Sequence, residues 1–177
     1  TIQQLFESGK KNFYLYSFDI KTRRYVPGYC SDVKMTGKDQ RIYKVEMEDG
    51  TYLRLTETHR VMLKTGIYRE VRDLHPDDCL QPLWRKNGIA IDPQKDHKVK
   101  IVSFDGIADV FDLTVDDVHN FACGIGSEDS FVIVHNSEET VSSDEQGQVL
   151  HIFSENPQIK TLLSDLFYDT LNVEFNL

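Results

Sequence analysis

The chain has 177 residues, 40% hydrophobic and 28% charged, which supports an ordinary globular core and excludes the disordered, collagen-like and membrane-spanning classes. Its 20 Lys and Arg stand against 29 Asp and Glu, a formal net charge of −9, and a net-negative surface repels the phosphate backbone, so no nucleic-acid partner is expected. No apolar run approaches the ~20 residues of a bilayer crossing, residues 1–10 lack a signal-peptide layout, and Cys30, Cys79 and Cys123 form no C-x-x-C, so reduced thiols in a cytosol, with no membrane, metal or cofactor, are the expectation.

The first element is a short helix over residues 2–8, closed by Gly9. Residues 13–18 read as an aromatic strand. Residues 41–47 alternate cleanly before Glu48-Asp49-Gly50-Thr51, a D-G hairpin signal, and residues 52–55 return. A helical turn is expected near residues 70–74, before Pro76. Residues 99–104 then form a strand that turns at Asp105-Gly106 into residues 110–115, and an apolar run at 130–134 closes the series. Many short strands with turn punctuation predict a curled or barrel-like all-β domain. An internal echo between residues 42–49 and 110–117, each followed by a histidine motif at His59 and His119, points to a duplicated architecture.

The end of the chain changes character. Residues 137–177 carry eight acidic residues against Lys160 alone, a steep charge step. After a polar stretch and a strand-like run at 149–153, Asn156-Pro157 offers an N-cap and a first-turn proline. Ile159, Leu162, Leu163, Leu166, Phe167 and Leu171 then fall at helical spacing. The polar face carries Asp165 and Asp169 rather than basic residues, which favours packing in a protein core over a membrane surface. The chain therefore divides into residues 1–136 and 137–177.

Chemistry-bearing residues gather at three places. Thr56-Glu57-Thr58-His59 is a T-x-x-H after a strand. Asp112-Leu113-Thr114-Val115 leads through Asp116-Asp117-Val118 to His119-Asn120-Phe121. Val132-Ile133-Val134 ends in His135-Asn136-Ser137. In that order the set resembles the inteins, the protein-splicing domains of the Hedgehog/intein fold, over essentially all of residues 1–136. The resemblance implies a pseudo-twofold, horseshoe-like all-β domain, with Asn136 as the last splicing-domain residue and Ser137 as the first residue of a downstream host segment, the C-extein.

The residues suit the implied chemistry. An asparagine carboxamide can attack its own main-chain carbonyl, closing a succinimide ring and breaking the bond to the next residue without water or cofactor. Attacker and target share one residue, and well-oriented intramolecular reactions reach effective molarities of ~10⁵ M or more. His135 and His119 have the pKa range for general acid–base work at this junction. By the resemblance, Ser137 accepts the acyl group from an upstream junction, Asp112 is the candidate base for its hydroxyl, and His59 with Thr56 polarises the upstream amide.

The family's N-terminal block, a Cys, Ser or Ala followed by a short strand, has no counterpart here. The expectation is the C-terminal piece of a split intein, completed by a short N-terminal fragment that bears the first nucleophile. Only 52 residues separate His59 from Asp112, so no homing endonuclease domain is expected. A cleavage-only autoprocessing domain and a non-catalytic phage structural or interaction module are the alternatives. Residues 137–177 faintly resemble the portal protein of contractile-tailed bacteriophages, which would make the chain phage-encoded. His75, His97, His151, Trp84 and the adjacent acids Asp77-Asp78 and Asp116-Asp117 read as structural or solvated.

Overall fold

The computed structural model describes residues 1–86, 89–91, 95–127 and 129–136. Ser137 and the predicted strand and amphipathic helix of residues 137–177 lie outside the described residues. Thr1 caps helix α1 (Ile2–Glu7) through a reciprocal capping box with Gln4, and Gly9, at φ +68°, leaves it in the left-handed conformation. The strands are β1 (Phe13–Asp19), β2 (Arg24–Met47), β3 (Tyr52–Thr56), β4 (Arg60–Met62), β5 (Tyr68–Glu70), β6 (Cys79–Leu80), β7 (Pro82–Lys86), β8 (Ile89–Ile91), β9 (His97–Val115), β10 (Asn120–Ser127) and β11 (Ser130–His135). The turn expected near residue 70 is a 3₁₀ turn, Val71–Asp73. Among the described residues no helix is long and apolar enough to cross a membrane.

Two sheets result. One runs β1-β2-β9-β6 with β3 added to β2; the other runs β5-β4-β11-β7-β8 with β10 added to β11. The all-β, curled architecture expected from the sequence is the one observed. Its spine is the antiparallel β2–β9 ribbon, paired from Cys30↔Val115 to Met47↔Val99 and interrupted by register shifts. The chain passes from the first sheet to the second twice in ways that matter for chemistry: from β3 to β4 through Glu57–His59, and from β9 to β10 through Asp116–His119.

The ribbon corrects two expectations. No turn forms at Asp105-Gly106. Ile42 pairs with Gly106 and Tyr43 with Phe104, so Asp105 bulges out of a continuous β9 and its carboxylate meets Arg54 at 2.6 Å. Gly106, at φ +122°, supplies the backbone freedom that a bulge needs. The echo between residues 42–49 and 110–117 does not mark equivalent positions either. The first segment folds back through Gly50 into β3 of the same sheet, whereas the second crosses to the other sheet.

Apolar side chains fill the space on two faces of the sheets. The main core gathers Phe13, Leu15, Val45, Leu53, Leu55, Val61, Val115, Phe121, Val132 and Val134. A second cluster holds Tyr16, Phe18, Met62, Leu83, Ala122, Phe131 and Ile133. Alternate residues of β1 and of β11 therefore feed different cores, so both strands are covered on both faces and their register is strongly specified. Gly28 lets β1 and β9 close on β2: a Cβ there would stand 2.0 Å from Ser17 Oγ and 2.8 Å from Val115 Cγ1. Cys30 and Cys123 are buried and reduced, as small apolar side chains, while Cys79 is half-buried.

Candidate functional site

Thr56 ends β3 and is buried at 5% exposure. The chain then turns, with the His59 N–H donating to the Thr56 carbonyl at 3.3 Å, so the T-x-x-H spacing delivers His59 to the start of β4 beside Thr56. His59 is held there by its carbonyl, which accepts the Val71 N–H at 2.9 Å. Burial, with His135 and Arg60 nearby adding to it, pushes the His59 imidazole well below its ordinary pKa. At neutral pH it is therefore an uncharged ring.

Strand β11 brings the other residues to this point. Val134 pairs with Val61 of β4, and His135 pairs with Asn120 of β10. Extending both ladders by the antiparallel rule sets Asn136 between residue 59 on one side and residue 119 on the other. The second neighbour is confirmed by a hydrogen bond: Asn136 N–H donates to the His119 carbonyl at 3.1 Å. Asn136 is buried at 1% exposure, and its side-chain oxygen has no hydrogen-bond partner among the described residues. The Thr56 hydroxyl is also buried with no partner among the described residues. Unsatisfied buried polar atoms are costly, and Thr56 and Asn136, both next to residue 59 along the backbone, each keep one that a bound polar group could satisfy.

His119 meets the site through its backbone. It adopts the left-handed conformation at φ 50°, and its side chain is exposed, so its carbonyl rather than its imidazole meets Asn136. Asp112 is fully buried on β9, opposite Lys34 of β2. Its Oδ1 accepts the Leu113 N–H at 2.7 Å, and its charge helps burial push the nearby Cys30 thiol up to about 12. Asp112 thus belongs to the first sheet, whereas His135 and Asn136 close the second.

Three residues of this neighbourhood are given no role by the sequence, although Asn120 lies within the His119-Asn120-Phe121 motif. Asn120 is fully buried; its Oδ1 accepts the Phe18 N–H at 2.8 Å, and its Nδ2 donates to the carbonyls of Phe18 at 2.8 Å and Val118 at 2.9 Å. The Ser17 hydroxyl adds a 2.7 Å bond to the Asn120 carbonyl. This clamp ties β1 to the β9–β10 crossing. Arg60 Nη2 reaches His135 Nδ1 at 3.5 Å, and the Tyr68 ring packs edge to face with the His135 ring, centroids 4.8 Å apart at 83°. Burial pushes the Tyr68 phenol up to about 12, so it stays protonated.

The remaining histidines stand apart. His75 is exposed, and His151 lies outside the described residues. His97, placed by its sequence context among polar neighbours, is instead fully buried, stacked on Trp84 at 5.1 Å and bonded through Nε2 to Ser130 Oγ at 2.9 Å. Of the adjacent acids, Asp78 takes Arg69 at 2.5 and 2.6 Å and Asp116 takes the Ser31 hydroxyl at 2.9 Å, so both pairs brace turns. Among the described residues no His, Cys, Asp and Glu group could hold a metal ion.

No protein-family model and no curated protein matches the chain. Solved structures do. A DnaB intein from Synechocystis sp. PCC 6803 superimposes with a TM-score of 0.62 at 27% identity, covering 78% of this chain and 86% of that one. The Ssp DnaB mini-intein variant M86 gives 0.64 at 25% identity, covering 78% and 84%. A bacterial intein-like domain from Clostridium thermocellum shares the fold at 15% identity with a TM-score of 0.55, covering 73% and 86%. The curled two-sheet architecture is thus that of the mini-inteins, and the two DnaB inteins support protein splicing or autoprocessing as the class of activity.

Proposed function

We propose that the chain is the C-terminal part of a split intein that performs protein trans-splicing with a short N-terminal fragment. The observation that carries this reading is the setting of Asn136. It directly follows the central strand β11, and it is buried, held by the His119 carbonyl, adjacent in register to His59, and left with an unsatisfied side-chain oxygen among the described residues. Such burial shields the carboxamide from the water that would otherwise hydrolyse intermediates, and the main-chain bond to His119 holds the residue whose carbonyl it would attack.

The steps follow from the chain's residues. The N-terminal fragment brings an acyl group on its first nucleophile. Thr56 and the neutral His59 polarise that upstream carbonyl, His59 as a hydrogen-bonding imidazole rather than a cation. The Ser137 hydroxyl takes the acyl group after a base removes its proton; Asp112, a buried carboxylate, is assigned that role. Asn136 Nδ2 then attacks the Asn136 carbonyl carbon. The succinimide closes, the bond to the Ser137 nitrogen breaks, and the proton lost from Nδ2 ends on the departing amine. The downstream segment 137–177, read as a host segment of a phage-encoded cytosolic protein, leaves carrying the new acyl group.

The test is intact mass spectrometry of the full chain with and without an N-terminal fragment taken from a neighbouring gene. A ligated product together with a succinimide-terminated 1–136 species is the expected result. Release of residues 137–177 without ligation would establish the autoprocessing alternative instead. Asn136→Ala is expected to abolish release; unchanged release would end the assignment of Asn136.

A further inference from the structure

We propose that Arg60 is a positioning residue that fixes the tautomer of His135, and with it the nitrogen that offers a proton to the Asn136 junction; the functional part of this inference rests on the cyclisation reading above. A guanidinium has five N–H donors and no acceptor. The 3.5 Å contact between Arg60 Nη2 and His135 Nδ1 is therefore Arg60 donating to an unprotonated Nδ1, which leaves the ring hydrogen on Nε2.

The surroundings hold this arrangement. Arg60 and Met62 share one face of β4, Tyr68 pairs with Met62 from β5, and Asn120 pairs with His135 from β10, so the ladders gather these residues at the end of β11. The Tyr68 ring, 4.8 Å away and nearly perpendicular, opposes a flip that would exchange the two nitrogens. His135 is buried at 9% exposure, whereas Arg60 is exposed, so the cation stays hydrated while its donor reaches inward. The opposite tautomer would aim an N–H at a positive charge.

The consequence is chemical. A neutral imidazole with its hydrogen on Nε2 is an electrophile that stabilises charge developing on the Asn136 carbonyl oxygen. In that step the Nδ2–carbon bond forms, the carbon–nitrogen bond to Ser137 breaks, the Nδ2 proton passes to the leaving nitrogen, and the ring ends as it began. Arg60 takes no part in the bond changes and acts only through His135.

The experiment reads the ring directly. In the full chain carrying Asn136→Ala, so that the junction stays intact, ¹⁵N NMR of the His135 imidazole is expected to show an unprotonated Nδ1 and a protonated Nε2. Adding Arg60→Ala is expected to give mixed tautomers. In the otherwise native chain, Arg60→Ala is expected to slow release of residues 137–177 by ~10- to 100-fold, below the full worth of a positioned proton donor, and guanidinium ion at sub-denaturing concentration to restore part of the rate. A ring protonated on Nδ1 in the parent, or a tautomer unchanged by Arg60→Ala, overturns the proposal. If the native chain never releases its tail, the cyclisation reading fails, while the ring spectrum still decides the role of Arg60.

Discussion

Replacing Asn120 by alanine tests whether the β1 clamp organises the site. The substitution removes three hydrogen bonds of 2.8–2.9 Å and strands the Phe18 N–H and carbonyl in a buried setting. At about 0.5–1 kcal/mol net per bond, with a further cost of about 0.5–1 kcal/mol for the orphaned Phe18 groups, the loss is about 2–4 kcal/mol. With a urea slope of ~2 kcal/mol/M, the unfolding midpoint of the full chain drops by ~1–2 M with the slope unchanged. Asn120→Asp is the informative companion: it still accepts from Phe18 N–H but turns a carboxylate oxygen toward two carbonyls, so it is at least as destabilising. Because Asn120 pairs with His135 and adjoins the carbonyl that holds Asn136, the surviving folded fraction also releases its tail more slowly. A loss below ~0.5 kcal/mol would refute the clamp.

Three further outcomes are expected. Ser137→Ala blocks ligation while leaving scission after residue 136, so mass spectrometry of the mixed fragments finds the released tail but no joined product. Acid destabilises the fold through His97: the unfolded imidazole protonates near 6.5 and the buried one near 4, so between these values the unfolded chain binds the extra proton and stability falls as the pH drops, by about 3 kcal/mol at pH 4; His59 acts in the same direction. Urea midpoints measured across that range check it, and the double variant His97→Phe, Ser130→Ala flattens the slope by removing both hydrogen-bond partners. Gly28→Ala drives a methyl into Ser17 Oγ and Val115, costing about 1–3 kcal/mol in the same titration and loosening the Ser17–Asn120 bond; a neutral Gly28→Ala would show that β1 and β9 can separate freely.

The alternation of the latter half of β2, the D-G signal that returns it into β3 and the apolar run of β11 made those strands legible. The first half of β2 was hidden because Pro27-Gly28 and Gly37-Lys38-Asp39 read locally as turns, yet pairing with β9 carries the strand through them with register shifts. Strand β10 was hidden by Gly124 and Gly126, and the short β4 to β7 by their length. The same non-local pairing turned Asp105-Gly106 from a turn into a bulge. At the site, Thr56, His59 and Asn136 were found because their chemistry is tied to fixed spacings. Arg60, Tyr68 and Asn120 act through partners distant in sequence; Arg60, adjoining His59, and Asn120, inside the His119-Asn120-Phe121 motif, gave a local hint, and Tyr68 gave none. His97 was misjudged because polar neighbours in the chain say little about the Trp84 ring stacked over it.

The two-sided pairing of β11 has one further implication. Since the strand is gripped by β4 on one edge and β10 on the other, under the proposed cyclisation its alignment works as a ruler that selects the scissile bond. Sliding β11 by a single position would bring His135 or residue 137 into the slot now held by Asn136, and neither carries a carboxamide. Because both faces of β11 are buried, a one-residue insertion or deletion in the tip between Ser127 and Ser130 is expected to be absorbed in the tip and to leave the proposed cleavage address unchanged.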